Sequence, residues 1–292
     1  MDSLLLPGWQ SSLKVYDDGN AHELDATGRD TTTGYEFIEV NGERRMYSRE
    51  APTIERFNAV YGLRDALDDV MPLISRSDLS AAIKQKNEQQ SWIDDWQDFP
   101  PMDQDGLPIC WTQGDCAGAA TLSVMAGLSY EELSGSSIAV PISGGNSGGW
   151  EGDTLDYMVR YGAAAVNVWP NVATNRRYLT DPAVAESRKK HMTLEALTLN
   201  YRDRSQRFLA VATALINNMP VPFAYNWMSH VMYFVRVVEI EAGSFGLMVR
   251  NSWGNWGAKN RFGYAGYNVY REGKGTPDSA HCLRQVTVST AA

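Results

Sequence analysis

Cys110 is preceded six residues upstream by Gln104 and followed at once by Trp111, in the stretch Asp103 to Trp111 (DQDGLPICW). A cysteine performs acyl transfer only as its thiolate. It then needs a helix N-terminus, an imidazole to take its proton, and hydrogen-bond donors where an oxyanion forms. The sequence offers a candidate for each. Residues Ala117 to Leu128 (AGAATLSVMAGL) are small or apolar nearly all round, the pattern of a fully buried helix beginning near the cysteine, so Cys110 would sit at its positive end. Gln104, on the loop entering that helix, offers a side-chain amide to an oxyanion together with the Cys110 backbone N–H. Ser229-His230 opens one predicted strand and Asn251-Ser252-Trp253-Gly254 closes another, with Gly246 expected at the turn between them. Adjacent antiparallel strands would bring His230 to Asn251, whose amide would hold the ring in one tautomer, and Trp253 would cover that bond from water.

The elements that must position these residues follow from periodicity and punctuation. Gly34 to Val40 and Glu43 to Arg49 flank Asn41-Gly42, the dipeptide of a type I′ hairpin. Thr53 to Val70 reads as one helix after Pro52, and Asp78 to Gln90 as a second capped by Ser77. Past the buried helix comes a Gly- and Ser-rich loop, Ser134 to Gly149, then helices over Asp153 to Tyr161, Pro182 to Lys190 and Gln206 to Asn218. From Val221 the pattern changes. Val221 to Trp227, His230 to Glu241, Phe245 to Arg250 and Phe262 to Tyr270 read as strands. Helices first and strands afterwards is the α+β pattern.

Composition excludes several classes. The chain has 292 residues, with 26 Lys+Arg against 35 Asp+Glu for a net charge of -9, which argues against a nucleic-acid partner. The short basic run Arg188 to Lys190 reads as a solvated helix face. Cys110, Cys116 and Cys282 are an odd set that gives no disulfide framework and suits a reducing compartment. No Cys/His cluster has zinc spacing, so neither a metal nor another cofactor is expected. The N-terminus MDSLLLPGWQ is too short in apolar length for a signal peptide, and no apolar run reaches the ~18 residues of a membrane span. These features imply a chain not secreted through a signal peptide, either cytoplasmic or packaged from the cytoplasm into a larger assembly.

Gln104, Cys110-Trp111, His230 and Asn251-Ser252-Trp253-Gly254 with Trp256-Gly257, in that order, resemble the motif set of papain-like cysteine peptidases. Gly148-Gly149-Trp150 resembles the family segment whose backbone pairs with substrate, and Asp153 to Gly162 the helix after it. The resemblance spans Asp103 to Tyr270. It implies a two-lobed fold, with a helical lobe over about 101–219 and a β lobe over about 220–292. It also implies catalysis by Cys110, His230, Asn251 and Gln104 on a polypeptide substrate held by Gly148, Gly149, Trp150 and Trp253. Residues 1–100 form an N-terminal extension, read as a pro-segment across the cleft or as an arm for partners. A narrower resemblance is to papain-like proteins of tailed bacteriophages. It implies phage or host proteins as partners of residues 1–100, a virion or host-cytoplasm location, and a catalytically silent virion component as the alternative function.

Two other registers remain open at this level. Gln113-Gly114-Asp115-Cys116 also resembles the motif, either with Ala119 at the nucleophile position, which gives an inactive relative, or with Cys116 itself as nucleophile. Six helical residues turn about 600°, roughly 240° net, so Cys110 and Cys116 cannot both face one cleft, and they lie about 9 Å apart along a continuous helix. The Gln104 spacing and Trp111 favour Cys110. Cys116 and Cys282 otherwise read as small core hydrophobes, and His22, His191 and His281 as incidental.

Overall fold

The computed structural model describes residue 10 and residues 12–191 and 193–287; the N-terminal stretch weighed as a leader lies outside them except for Gln10. The N-terminal hundred residues form strands β1 (Val15–Tyr16), β2 (Gly28–Arg29), β3 (Glu36–Val40) and β4 (Glu43–Tyr47), then helices α1 (Ile54–Tyr61), α2 (Leu67–Val70) and α3 (Leu79–Gln89). Helices α4 (Cys110–Met125), α5 (Ser136–Ser143), α6 (Glu151–Tyr161) and α7 (Pro182–Lys190) follow, with β5 (Thr193–Thr198) and α8 (Arg204–Ile216) after them. The chain ends in β6 (Val221–Tyr225), β7 (His230–Glu241), β8 (Ser244–Arg250), β9 (Tyr267–Arg271) and β10 (Ser279–Thr287).

The β7 residues are apolar almost without break because both faces are covered, and nine of its twelve residues in succession, from His230 to Val238, are buried. It is the centre of a seven-stranded sheet ordered β1-β9-β8-β7-β6-β10-β5, antiparallel except where β1 joins β9. Helices α4 and α8 pack on β7. Gly114 allows α4 to approach that closely, since a Cβ there would lie 2.7 Å from the Met232 carbonyl oxygen. The N-terminal region is built into this body. Its β1 is an edge strand of the sheet, α1 packs on α6, and Asp94 forms a buried bidentate pair with Arg236 of β7 at 2.7 and 2.8 Å.

Several expectations are corrected. The helix expected over Thr53 to Val70 is two, because the chain between Tyr61 and Leu67 leaves the helix to meet β5, Thr198 N–H donating to the Asp65 carbonyl. Thr53 caps α1 as its side chain accepts from Arg56 N–H. Ser77 does not cap α3; it lies inside a 3-10 turn, and its hydroxyl bonds Ser75. The Ser134 to Gly149 loop contains α5, entered through serine hydroxyl bonds and stopped at Gly144 with φ +85°. The β7–β8 turn is at Ala242-Gly243, where Gly243 has φ +72°, while Gly246 is within β8 opposite Val238. Four strands carried no expectation: β1 and β2, ahead of the expected hairpin, β5, between the helices expected over Pro182 to Lys190 and Gln206 to Asn218, and β10, which joins β5 to β6. The hairpin turn has Asn41 and Gly42 both at positive φ, 53° and 80°, as a type I′ turn requires.

Candidate active site

Cys110 is the first residue of α4, and no side chain caps that helix. Its sulfur is therefore at the end where backbone N–H groups are unpaired and the helix dipole is positive. The thiol is wholly buried, with Ser48 Oγ 3.0 Å away. Burial pushes the Cys110 thiol up and the nearby Glu151 charge adds to this, against the Ser48 hydroxyl and the main-chain N–H groups of Val231 and Ser48. Val231, whose N–H reaches the sulfur, adjoins His230 in β7. The helix is continuous through Cys116, which lies in the core with its thiol raised well above the ordinary value, first by burial and then by Asp115. Cys282 is equally buried, its thiol pushed up to about 12 by burial.

His230 Nε2 lies 2.9 Å from Asn251 Oδ1, which also accepts from Ser252 N–H at 2.7 Å. An amide oxygen only accepts, so Nε2 carries the proton and Nδ1 presents a bare lone pair. That Nδ1 is buried and has no hydrogen-bond partner in the structure. Trp253 stacks on the imidazole at 4.6 Å and Tyr47 meets it edge-on at 5.9 Å. Enclosed by these rings, His230 is held down to about 4, by burial against the opposing Asn251 bond. Thiol and imidazole are thus both neutral.

Gln104 is wholly buried, with its backbone N–H on the Ser252 carbonyl at 3.1 Å and its Oε1 accepting from Ser252 Oγ at 3.0 Å. Its Nε2 donates to Leu107 O at 2.8 Å and to Met46 O at 3.2 Å. The amide expected for an oxyanion is therefore occupied by the backbone of β4.

The residues that follow β4 cover the cleft. Gly149 N–H donates to Ser48 O at 3.1 Å, Glu50 N–H to Gly149 O at 2.8 Å, and Arg49 N–H to Ser229 O at 2.8 Å, so Ser48 to Glu50 run as a parallel strap against Gly149. Tyr35 Oη accepts from Gly148 N–H at 2.6 Å. Gly148 must lack a side chain for this, since a Cβ would lie 2.2 Å from the Ser48 carbonyl oxygen. The Arg49 side chain turns into a buried recess and pairs with Glu151, the first residue of α6.

Cys110, Gly148 and Gly149 thus meet the segment from Ser48 to Glu50, His230 packs with Asn251, Trp253 and Tyr47, and Gln104 bonds Ser252 and Met46. Trp150 does not open onto the cleft. It is wholly buried, packed edge-on against Tyr61 at 5.6 Å, with its indole N–H on Glu151 at 3.0 Å, so it backs the recess instead of lining it. His281, read as incidental, is also wholly buried, bridging Tyr61 Oη at 3.0 Å and Asp115 at 2.7 Å, and so ties α1 to α4 and β10. The contributions of Ser48, Arg49 and Glu151 carried no expectation. Their one signal was that the predicted hairpin strand ran on to Arg49. Among the described residues no group of three or more His, Cys, Asp or Glu could hold a metal ion. No described helix is long and apolar enough to cross a membrane.

Neither a family model nor a curated protein matches the sequence. Solved structures match the fold. One, from work on antibody cross-reactivity between the mite allergens Blo t 1 and Der p 1, is 17% identical and covers 86% of each chain with a TM-score of 0.57. The SERA5 proenzyme of Plasmodium falciparum is 12% identical over 84% of this chain and 72% of that one, at 0.54. Amb a 11, a ragweed pollen cysteine protease in its proform, is 15% identical over 81% and 76%, at 0.50. The chain has the α+β fold of the papain-like proteases.

Proposed function

We propose that the chain is a latent cysteine peptidase, or amide hydrolase, whose nucleophile is Cys110. The observation that carries this reading is the bare, buried, unpartnered Nδ1 of His230, whose ring Asn251 holds next to Val231, the residue whose N–H reaches the Cys110 sulfur at a helix N-terminus. An unsatisfied buried acceptor costs about 1–3 kcal/mol, and a proton from Cys110 is what would satisfy it. With the strap displaced, water enters and both burial effects relax, so thiolate and imidazolium form together. The thiolate attacks the peptide carbonyl, and Gln104 Nε2, freed from Met46 O, stands with the Cys110 N–H at the oxyanion. His230 gives its proton to the leaving amine, then takes one from the water that hydrolyses the thioester, while Asn251 holds the ring.

The N-terminal region is the latency device in this reading. Ser48 satisfies the thiol, the strap takes the backbone of Gly149, and Met46 O takes the amide of Gln104. The matched share of this chain, 81–86%, exceeds what residues 101–292 amount to, so the likeness extends into the N-terminal region. Two of the matched structures are a proenzyme and a proform. Cys110→Ala tests the reading. Peptidase activity should disappear, and activity that persists with unchanged sensitivity to iodoacetamide refutes it. The mass of the active species separates a cleaved pro-segment from a permanent arm. The complete enclosure of Cys110 also suits a silent papain-fold component, such as one of a phage particle, for which Cys110 stays unalkylated even after residues 46–50 are displaced.

A further inference from the structure

Arg49 is the strap residue opposite Gly149, and its guanidinium is met at every nitrogen. Nε lies 3.3 Å from Glu151 Oε2, and Nη2 lies 3.5 Å from Glu151 Oε1 and 3.2 Å from Ser279 Oγ. Nη1 donates to Asn226 Oδ1. The Arg49 side chain is 4% exposed and that of Glu151 0%, so this is a desolvated pair and not a surface contact. The other donors to Glu151, the Trp150 indole and the Ser279 hydroxyl, are neutral. Among the described ion pairs, Arg49 is its only cation. A recess with an acidic floor and acceptors at both ends therefore lies off the Gly149 backbone edge, where the extended strap runs.

We propose that this recess selects an arginine side chain of the substrate, with Glu151 the specificity-determining residue and Arg49 its built-in stand-in. The proposal rests on the cleft assigned above. Any extended peptide replacing the strap on Gly149 presents a side chain to the same recess. An apolar one would leave Glu151 buried without a counter-charge. Lysine brings one compact charge that cannot meet Glu151 and Asn226 together, as the planar guanidinium does.

The test uses full-length Arg49→Ala, in which the recess is vacated, with N-acetyl-arginine amide as probe and the lysine and leucine amides as controls. The arginine amide should raise the melting temperature of this variant by about 2–4 °C at tenfold over its Kd, the lysine amide less, and the leucine amide not at all. Wild type, with the recess filled, should not respond, and Arg49→Ala/Glu151→Gln should lose the response. Equal responses to arginine and leucine, or a response surviving Glu151→Gln, overturn the proposal. If Arg49→Ala does not fold alone, the arginine amide added during refolding should restore it where the leucine amide does not, and no rescue also overturns it. The same measurement in Arg49→Ala/Cys110→Ala, set beside cleavage by Arg49→Ala, separates the two readings. Arginine binding that persists without any thiol-dependent cleavage keeps the recess and removes the peptidase, whereas Cys110-dependent cleavage with no arginine preference does the reverse.

Discussion

Acid should open the strap, and His230 sets by how much. Closed, the imidazole is held down to about 4 by burial; opened and hydrated, it returns toward the ordinary value of 6.5. Between these values the open form binds the extra proton, so the closed form is at full strength above pH 6.5 and weakens as pH falls toward 4. At 1.36 kcal/mol per unit the loss is about 3 kcal/mol, a shift on the order of a hundredfold toward the open form. The groups around the ring, namely Tyr47, Trp253 and Asn251, offer an imidazolium no anion. The assay is hydrogen exchange at the Arg49 and Glu50 amides, which donate to Ser229 and Gly149 across the cleft. Corrected for the intrinsic rate, their protection should fall roughly a hundredfold from pH 7 to pH 4 and change little from 8 to 7. His230→Gln removes the titrating group and should flatten that fall. Equal protection at pH 7 and 4, or the same loss in His230→Gln, refutes the assignment of the linkage to this residue.

Gln104→Ala should lower kcat of the activated protein by about 10²–10³ with KM little changed, since its Nε2 acts on charge that develops only in the transition state. A loss confined to KM contradicts that role. Asp94→Ala leaves the Arg236 guanidinium, 5% exposed, without its bidentate carboxylate. It should destabilise the chain by about 3–5 kcal/mol, read as a lowered denaturation midpoint. Asp95, which also reaches Arg236 at 3.4 Å, moderates the effect, and the double variant should lose more.

The chemistry was legible because it sits in short contexts. Cys110-Trp111 with Gln104 is one loop and one helix start, and the Asn-Ser-Trp-Gly segment carries both the His230 partner and the ring that covers it. Hairpin, buried helix and β7 followed from local pattern for the same reason. What was not legible depends on contacts between distant segments. The helix break after Tyr61 exists because β5 takes the backbone near residue 65, and β5 itself is a strand because β10 lies beside it. Glycine and serine made α5 read as loop, since its N-terminal turn is held by Ser134 and its neighbours and not by propensity. The Arg49–Glu151 pair spans 102 residues and neither partner stands in a motif.

That pair has a consequence that its strength alone does not give. Two charges taken out of water gain little over apolar residues of the same shape, so the strap is not held better by an ion pair than by packing. The difference lies in what separation leaves behind. Arg49 regains water when the strap lifts, whereas an apolar side chain in its place leaves Glu151 at the head of α6 with only neutral donors. The same carboxylate therefore holds the strap in the latent form and disfavours any apolar replacement. A double-mutant cycle in the full chain isolates this. Arg49→Leu leaves Glu151 unpaired and should reduce Glu50 amide protection by about 3 kcal/mol, or on the order of a hundredfold. Arg49→Leu/Glu151→Leu removes both charges and should restore most of that protection, while the response to N-acetyl-arginine amide stays absent. A double variant as loose as the single one would mean that the strap is held by its backbone and Ser48 contacts, and that Glu151 plays no part in keeping the cleft closed.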